Sequence, residues 1–137
     1  MKIVICGSMK LAKEMISVKN ELEKKGYDVD VPLFTEEYAR MVSLNDVHKE
    51  SAKNKIDHDL IRDYYQKIKA SDGVLILNHP LNGIENYIGG NSFLEIAFAH
   101  VLNKKIFLMN PIPQMGYTDE LVAMQPIVLN GDLSKMQ

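Results

Sequence analysis

Apolar residues recur along the chain in short runs that are separated by longer amphipathic stretches. Five runs have the length and the β-branched or apolar content of strands: Lys2–Cys6 and residues 27–32, 74–78, 106–110 and 126–129. The third run is apolar without alternation up to Asn78, as in a central parallel strand. Pro32 places the second run at or near a sheet edge. The pattern therefore predicts five strands.

Between these runs, apolar residues at helical spacing predict helices over residues 11–25, 56–70 and 92–102, with a short helix beginning at Thr118. The helix over 92–102 is apolar almost all round, which predicts packing on both sides. Residues 33–55 show no single apolar face, and we interpret them as a mobile loop with short helical turns. Such an insertion is either a binding loop or lid, or a solvated connector.

The alternation of strands and helices predicts an α/β fold. We expect a doubly wound, flavodoxin-like or Rossmann-like, five-stranded parallel sheet in a three-layer αβα arrangement. Its topological switch point falls between the first and third strands. A chain of 137 residues is the size of one domain, so residues 1–137 are predicted to form a single unit.

A glycine pair runs into a predicted helix start that carries one carboxylate, within the stretch 87–99, YIGGNSFLEIAFA. Adjacent glycines let the backbone approach a ligand closely or adopt positive φ, and the first N–H groups of a helix tolerate an anion. Ser92 and Glu95 also have the S-x-x-E spacing of a capping box, in which Glu95 reaches back to the cap. Glu95 is therefore either a helix-cap residue or a reactive carboxylate.

In open α/β sheets, ligands lie beyond the carboxyl ends of the strands at the switch point. The turn after the first strand, the end of the third strand and the glycine turn are therefore expected to face one small polar ligand. The predicted binding residues are Gly7, Ser8, Asn78, Gly89, Gly90, Asn91 and Ser92. Ser8 has an alternative interpretation as the cap of the following helix.

Charge and composition exclude several classes of partner. The net charge of −2 gives no general attraction for a nucleic-acid polymer or an anionic membrane. The apolar runs are far shorter than a membrane span, and the first run lacks the features of a signal peptide, so we expect a cytoplasmic protein. The single cysteine, Cys6, cannot form an internal disulfide, and it is more often a core residue than a nucleophile.

One acidic cluster raises the question of a metal site. Asp57, His58 and Asp59 are consecutive, and consecutive residues point to different sides of a helix. We interpret them as a solvated helix start with aspartates in its first turn. The sequence therefore predicts neither a metal nor a cofactor.

Four segments carry a resemblance to a known family. They are the first strand ending in Gly7 and Ser8, the segment SDGVLIL at 71–77, the glycine turn leading to EIAFA at 95–99, and KKIF at 104–107. Together they resemble the nucleoside 2-deoxyribosyltransferase superfamily, which includes the deoxynucleoside monophosphate N-glycosidases. The likeness covers most of the chain and is weak over residues 33–55.

The resemblance implies a small-molecule nucleoside or nucleotide substrate and Glu95 as the nucleophile that attacks the anomeric carbon of the deoxyribose. The sugar then passes to another base or to water. Asp72 matches a recurrent aspartate near the family's site, where it serves binding or structure. The chain departs from the transferases at Gly89, where they usually carry an aspartate that handles the base. The phosphoribohydrolases are similar in their glycine turn, with the glycine pair shifted by one residue.

Three functional hypotheses remain open at this point. The first is an N-glycosidic bond transferase or hydrolase, and the second is a non-catalytic nucleotide-binding module on the same fold. The third is a structural assembly protein, and only the apolar helix over 92–102 and the eight methionines support it. That helix and the stripe over 56–68 also predict a homodimer or a higher homo-oligomer, and the resemblance implies sites that are completed across subunits.

Overall fold

The computed structural model describes residues 1–40 and 59–137, and its centre is a parallel five-stranded sheet. The strand order is β2-β1-β3-β4-β5, and every neighbouring pair is parallel. The strands are β1 (Lys2–Cys6), β2 (Asp28–Asp30), β3 (Gly73–Ile76), β4 (Lys105–Leu108) and β5 (Ile127–Val128). The predicted doubly wound sheet and its switch point between β1 and β3 are confirmed.

Helices cover both faces of this sheet. In the described part of the chain they are α1 (Ala12–Lys24), α2 (Thr35–Ala39), α3 (Leu60–Lys69), α4 (Gly90–Val101) and α5 (Thr118–Ala123). Two 3-10 turns accompany them, η1 (Met9–Leu11) and η2 (Leu133–Lys135). The arrangement is the expected three-layer αβα.

The strands are buried on both faces, which explains their unbroken apolar sequences. Ile3 and Ile5 of β1 pack into one core cluster with α1, whereas Val4 and Cys6 pack into a second cluster with α3 and α4. All four side chains are fully buried. Because side chains alternate across a strand, a strand that feeds two cores needs apolar residues at successive positions.

Several boundaries differ from the sequence-based ones. Of the loop predicted over 33–55, residues 35–39 form α2, and residues 41–55 lie outside the described residues. The helix predicted over 56–70 begins at Leu60, and Asp57 and His58 also lie outside the described residues. The predicted edge position of the second strand is confirmed, because β2 pairs with β1 alone.

The start of α4 corrects the capping-box interpretation. The helix begins at Gly90 with Gly89 as its N-cap residue, and no side chain caps it. Ser92 is therefore the third residue of α4, and Glu95 lies in the second turn, where it cannot close a capping box around Ser92. Glycine at the N-cap is an accepted alternative to serine, which explains the earlier start.

Within the single chain, α4 is covered on one side, and the prediction that it packs on both sides stays a prediction. One face of α4 is buried, through Ser92, Glu95, Ile96 and Ala99. The opposite face exposes Leu94 by 43% and Val101 by 77%. The exposed apolar face is therefore the part of α4 that a second copy of the chain would cover if the predicted homo-oligomer forms.

Candidate active site

A cavity of about 470 Å³ opens at the carboxyl edge of the sheet, beside the switch point. Its volume lies within the range of about 300–1,000 Å³ that is typical of small-molecule sites. Four segments line it: residues 7–10 after β1, residues 32–38 around α2, the first turns of α3, and residues 82–95 of the loop and helix after β3.

The turn after β1 forms the first wall. A β-carbon on Gly7 would lie 3.1 Å from the Met15 Cε atom, so the turn runs close to α1. The Ser8 side chain accepts a hydrogen bond of 3.2 Å from the backbone N–H of Lys10 and caps η1. Ser8 also lines the cavity. Its cap role is therefore present in the structure, and its role in ligand binding stays a prediction.

The opposite wall is a tight turn in the loop after β3. Leu81 and Ile84 exchange two backbone hydrogen bonds of 3.0 Å, and both central residues of this turn, Asn82 and Gly83, have positive φ. An asparagine followed by glycine is the preferred pair for such a turn. The Asn82 Oδ1 atom accepts a bond of 3.4 Å from the Lys10 Nζ atom, which links the two walls across the cavity mouth.

The glycine pair leads into α4 without left-handed backbone. Gly89 has φ −76°, and Gly90 is already helical. The first bond within the helix runs from the Phe93 N–H to the Gly89 carbonyl, so the N–H groups of residues 90–92 precede the helical ladder. A β-carbon on Gly90 would meet no atom within 4 Å. The lack of side chains here keeps the cavity open beside those N–H groups.

Ser92, Glu95 and Tyr64 form the floor of the cavity. They are 3%, 5% and 4% exposed, and all three line the cavity. Ser92 and Glu95 are three residues apart, which puts them on the same face of α4. The Tyr64 hydroxyl donates a hydrogen bond to the Ile5 carbonyl of β1, which fixes the phenol ring from α3 against the sheet.

Two groups at this floor, Tyr64 in it and Cys6 behind it, have raised pKa values. Burial raises the pKa of the Tyr64 phenol well above its usual range, with smaller contributions from Cys6 and Glu95. Burial also raises the pKa of the Cys6 thiol, together with the charge of Glu95 and a hydrogen bond to it. Both groups therefore keep their protons at neutral pH.

The structure brings most of the predicted site residues together. Those that line the cavity are Gly7, Ser8, Gly89, Gly90, Asn91, Ser92 and Glu95. Asn78 and Asp72 do not line it. Whether the lining residues bind a ligand stays a prediction.

Asn78 instead joins the segments that follow β3 and β4. Its side-chain amide donates to the carbonyls of Asn110 at 2.8 Å and Pro111 at 3.1 Å, and its Oδ1 atom accepts from the Asn110 N–H at 2.9 Å. Its side chain is fully buried. These bonds account for its donors and give it a structural role.

Asp72 lies at the other edge of the sheet, immediately before β3. One carboxylate oxygen accepts a bond of 2.7 Å from the Lys2 N–H at the start of β1. The amino ends of β1 and β3 meet there, whereas the cavity lies beyond their carboxyl ends. The structure therefore separates Asp72 from the other predicted site residues.

Sequence reasoning missed several residues of the cavity. The stripe that contains Tyr64 was interpreted as a helix face for a subunit interface, and Asp63 was not singled out, yet both residues line the cavity. Tyr38 of α2 is 4% exposed and also faces it. The Asn82-Gly83 pair carried a recognisable turn signal. No local signal identified Asp63 or Tyr38, because their positions depend on how distant segments pack.

Two further findings concern metals and membranes. Across residues 1–40 and 59–137, no group of three or more histidine, cysteine, aspartate or glutamate side chains is arranged to hold a metal ion. Within the same ranges, no helix has the length and apolar character needed to cross a membrane.

Comparisons with known proteins point to one fold. No family model and no curated protein matches the sequence. Among solved structures, the chain is similar to the CMP N-glycosidase BcmB of Clostridium botulinum, with a TM-score of 0.51 and 19% identity over 93% of this chain and 85% of that one. At this identity the likeness shows the fold alone: the chain shares the doubly wound α/β fold of that N-glycosidase.

Proposed function

We propose that this chain breaks the N-glycosidic bond of a nucleoside or nucleotide, with Glu95 as the nucleophile. The position of Glu95 carries the proposal: its side chain is 5% exposed, yet it lines a ligand-sized cavity at the switch point of the sheet. The similar protein of known structure is named as an N-glycosidase of CMP, and it shares the fold. A buried carboxylate that faces a cavity is a common feature of glycosyl transfer sites.

The chemistry needs one carboxylate close to the sugar. An N-glycosidic bond breaks through a cation-like sugar, which a carboxylate stabilises or traps. One Glu95 oxygen forms a bond to the anomeric carbon while the carbon–nitrogen bond breaks, and its electron pair leaves on the base, which takes up a proton. Water then attacks the glycosyl ester and regenerates the carboxylate, or a second base does so. The first outcome is hydrolysis and the second is transfer.

A phosphate group suits the mouth of the same cavity. The Lys10 ammonium lies there at 3.4 Å from the Asn82 Oδ1 atom, and the N–H groups of residues 90–92 precede the hydrogen-bond ladder of α4. A cation and a helix N-terminus are both favourable partners for an anion. We therefore place the 5′-phosphate of a nucleoside monophosphate between them, with the sugar over Glu95.

Asp63 is our candidate for contact with the base. The transferases usually handle the base with an aspartate at the position of Gly89, and Asp63 of α3 is a carboxylate in another wall of the cavity. Its Oδ2 atom lies 3.3 Å from the Lys67 Nζ atom. Asp63→Asn is expected to lower turnover, whereas Asp72→Asn, the matched change outside the cavity, is expected to leave it unchanged. Equal effects in the two variants would contradict this assignment.

A second candidate function is a nucleotide-binding module without turnover. The glycine at position 89 favours it, because the usual base-handling aspartate is absent there. Both functions predict that nucleotides stabilise the folded chain, since a ligand that binds only the native state raises its stability. They differ in whether free base appears.

One assay separates the two functions. The folded protein is incubated with a panel of deoxynucleosides, ribonucleosides and their 5′-monophosphates, and released base is measured by chromatography with and without a second base. We expect release from at least one monophosphate, faster than from the matching nucleoside. A new nucleoside formed with the added base would identify transfer. Stabilisation in a thermal-shift measurement without any released base would favour the binding module.

A further inference from the structure

A tyrosine outside the cavity contacts the turn that leads into α4. Tyr117 is the residue before α5, and its half-buried side chain lies outside the lining of the cavity. Its hydroxyl donates a hydrogen bond to the Ile88 carbonyl, immediately before the glycine pair. Its ring stacks on Phe93, with the ring centroids 4.3 Å apart and an angle of 27° between the planes. Tyr117 therefore contacts the chain on both sides of Gly89 and Gly90.

The glycine pair itself does little to fix the backbone of this turn. Glycine has the widest choice of φ and ψ, so two adjacent glycines lose much conformational entropy when they are held in one conformation. In the part of the chain that the structure describes, no side chain caps the N-terminus of α4. Ile88 is 1% exposed, so its carbonyl needs a partner within the protein, and the Tyr117 hydroxyl is that partner. The turn is therefore held by its neighbours.

The hydrogen bond from Tyr117 acts on the turn through a peptide plane. The Ile88 carbonyl and the Gly89 N–H belong to one planar peptide unit, so a donor that fixes the carbonyl also fixes the direction of that N–H. The Gly89 carbonyl then accepts a bond of 2.9 Å from the Phe93 N–H, the first bond within α4. The two contacts of Tyr117 thus bracket the N–H groups of residues 90–92.

The segment after β4 that carries Tyr117 is itself held in place. Asn78, just after β3, is hydrogen bonded to the backbone of Asn110 at the start of this segment. The Thr118 hydroxyl accepts a bond of 2.7 Å from the Met115 N–H, which closes the turn before α5. The segment therefore contacts the loop after β3 at its start, through Asn78, and at its end, through Tyr117.

We propose that Tyr117 is a positioning residue for the turn before α4: its hydroxyl holds the Ile88 carbonyl, and this fixes the N–H groups of residues 90–92 in the direction of a phosphate in the cavity. The part that concerns phosphate rests on the proposed function, which places a 5′-phosphate there. The fixing of the turn does not, and it is tested without a ligand.

Amide hydrogen exchange tests the turn in the full chain. The Phe93 N–H reports opening of the first turn of α4, and the chain has four phenylalanines, so labelling of this residue type gives a simple NMR spectrum. Tyr117→Phe keeps a ring against Phe93 and removes the hydroxyl. Exchange of the Phe93 N–H should become roughly three- to ten-fold faster, the effect of one neutral hydrogen bond on local opening. Unchanged exchange would overturn the proposal.

Tyr27→Phe is the matched control for general loss of stability. Tyr27 is also half-buried, and its hydroxyl donates to a backbone carbonyl, that of Met136, at 3.1 Å and away from the cavity. Both variants should lower the melting temperature by similar amounts, because each loses one hydrogen bond of the same type. The Phe93 N–H should exchange faster in Tyr117→Phe alone. Equal acceleration in the two variants would contradict a specific role for Tyr117.

Ligand titrations of the same labelled samples test the link to phosphate. The probes are inorganic phosphate and a matched pair of a nucleoside and its 5′-monophosphate, followed through the Phe93 amide shift. Tyr117→Phe should weaken binding of phosphate and of the monophosphate roughly three- to ten-fold and leave the nucleoside unchanged. Where the wild type turns over the monophosphate, KM should rise by the same factor at unchanged kcat.

The possible results separate this proposal from the proposed function. Equal weakening of nucleoside and monophosphate, or normal phosphate binding in Tyr117→Phe, would overturn the positioning role. If the wild type binds neither phosphate nor any monophosphate, the placement of the phosphate fails, and the link to phosphate fails with it. The exchange of the Phe93 N–H then decides by itself whether Tyr117 fixes the turn.

Discussion

Glu95→Gln is the sharpest test of the proposed chemistry, because it removes a charge and keeps the shape. The side chain is 5% exposed and the amide has nearly the same volume, so the surrounding core is not opened. We therefore expect the free energy of unfolding to change by no more than about 1 kcal/mol, the scale of one altered hydrogen bond.

The expected effect on turnover is much larger. An amide oxygen is too weak a nucleophile to form the glycosyl ester, so the rate should fall by at least about 10³-fold, or about 4 kcal/mol of transition-state stabilisation. Released base and melting temperature are measured on the same preparation. Glu120→Gln is the matched control, because Glu120 is an exposed residue of α5 outside the cavity. Full activity in Glu95→Gln would refute the nucleophile and leave the binding module as the better hypothesis.

Three further predictions address the cavity, the floor and the exposed helix face. Gly90→Ala should weaken nucleotide binding, measured by calorimetry, without lowering the stability of the protein, because the added methyl group enters open space at the cavity. Gly116→Ala is the control: Gly116 lies outside the cavity, and this variant should bind nucleotide normally. The raised pKa of Tyr64 gives a contribution to the free energy of unfolding that is complete below pH 10.0 and falls above it by up to about 1.4 kcal/mol per pH unit. Tyr64→Phe removes this ionisation, so urea titrations of the variant should show a smaller loss of stability at alkaline pH than those of the wild type. Leu94→Arg should convert a homodimer to a monomer in sedimentation, because Leu94 is 43% exposed on the apolar face of α4; a wild type that sediments as a monomer at micromolar concentration would contradict the oligomer.

The sheet could be predicted from the sequence because its signals are local. The residues of β1 and β3 form unbroken apolar runs, and a strand buried on both faces requires such a run. The alternation with amphipathic helices then restricts the topology to a few arrangements, of which the doubly wound sheet is the commonest for this pattern. The switch point followed from that topology, and it correctly located the cavity.

The residues that line the cavity were harder to predict, because they depend on the direction of each strand and on the hydrogen bonds that each side chain already makes. Asp72 was included through the resemblance, although it precedes β3 and the ligand edge follows it. Topology alone places Asp72 at the sheet edge away from the cavity. Asn78 does follow the strand, but its amide is occupied by the segment after β4. No local pattern reveals such a pairing, because its partners lie more than thirty residues away.

The S-x-x-E pattern explains why the role of Glu95 was ambiguous from the sequence, and the helix start explains why its side chain lines the cavity. A spacing of three residues closes a capping box when the serine is the N-cap, and it puts two side chains on one helix face when both are inside the helix. Gly89 takes the cap, so the second case applies, and Ser92 and Glu95 line the same floor. An earlier helix start thus converts a stabilising motif into a pair of polar groups that face a cavity.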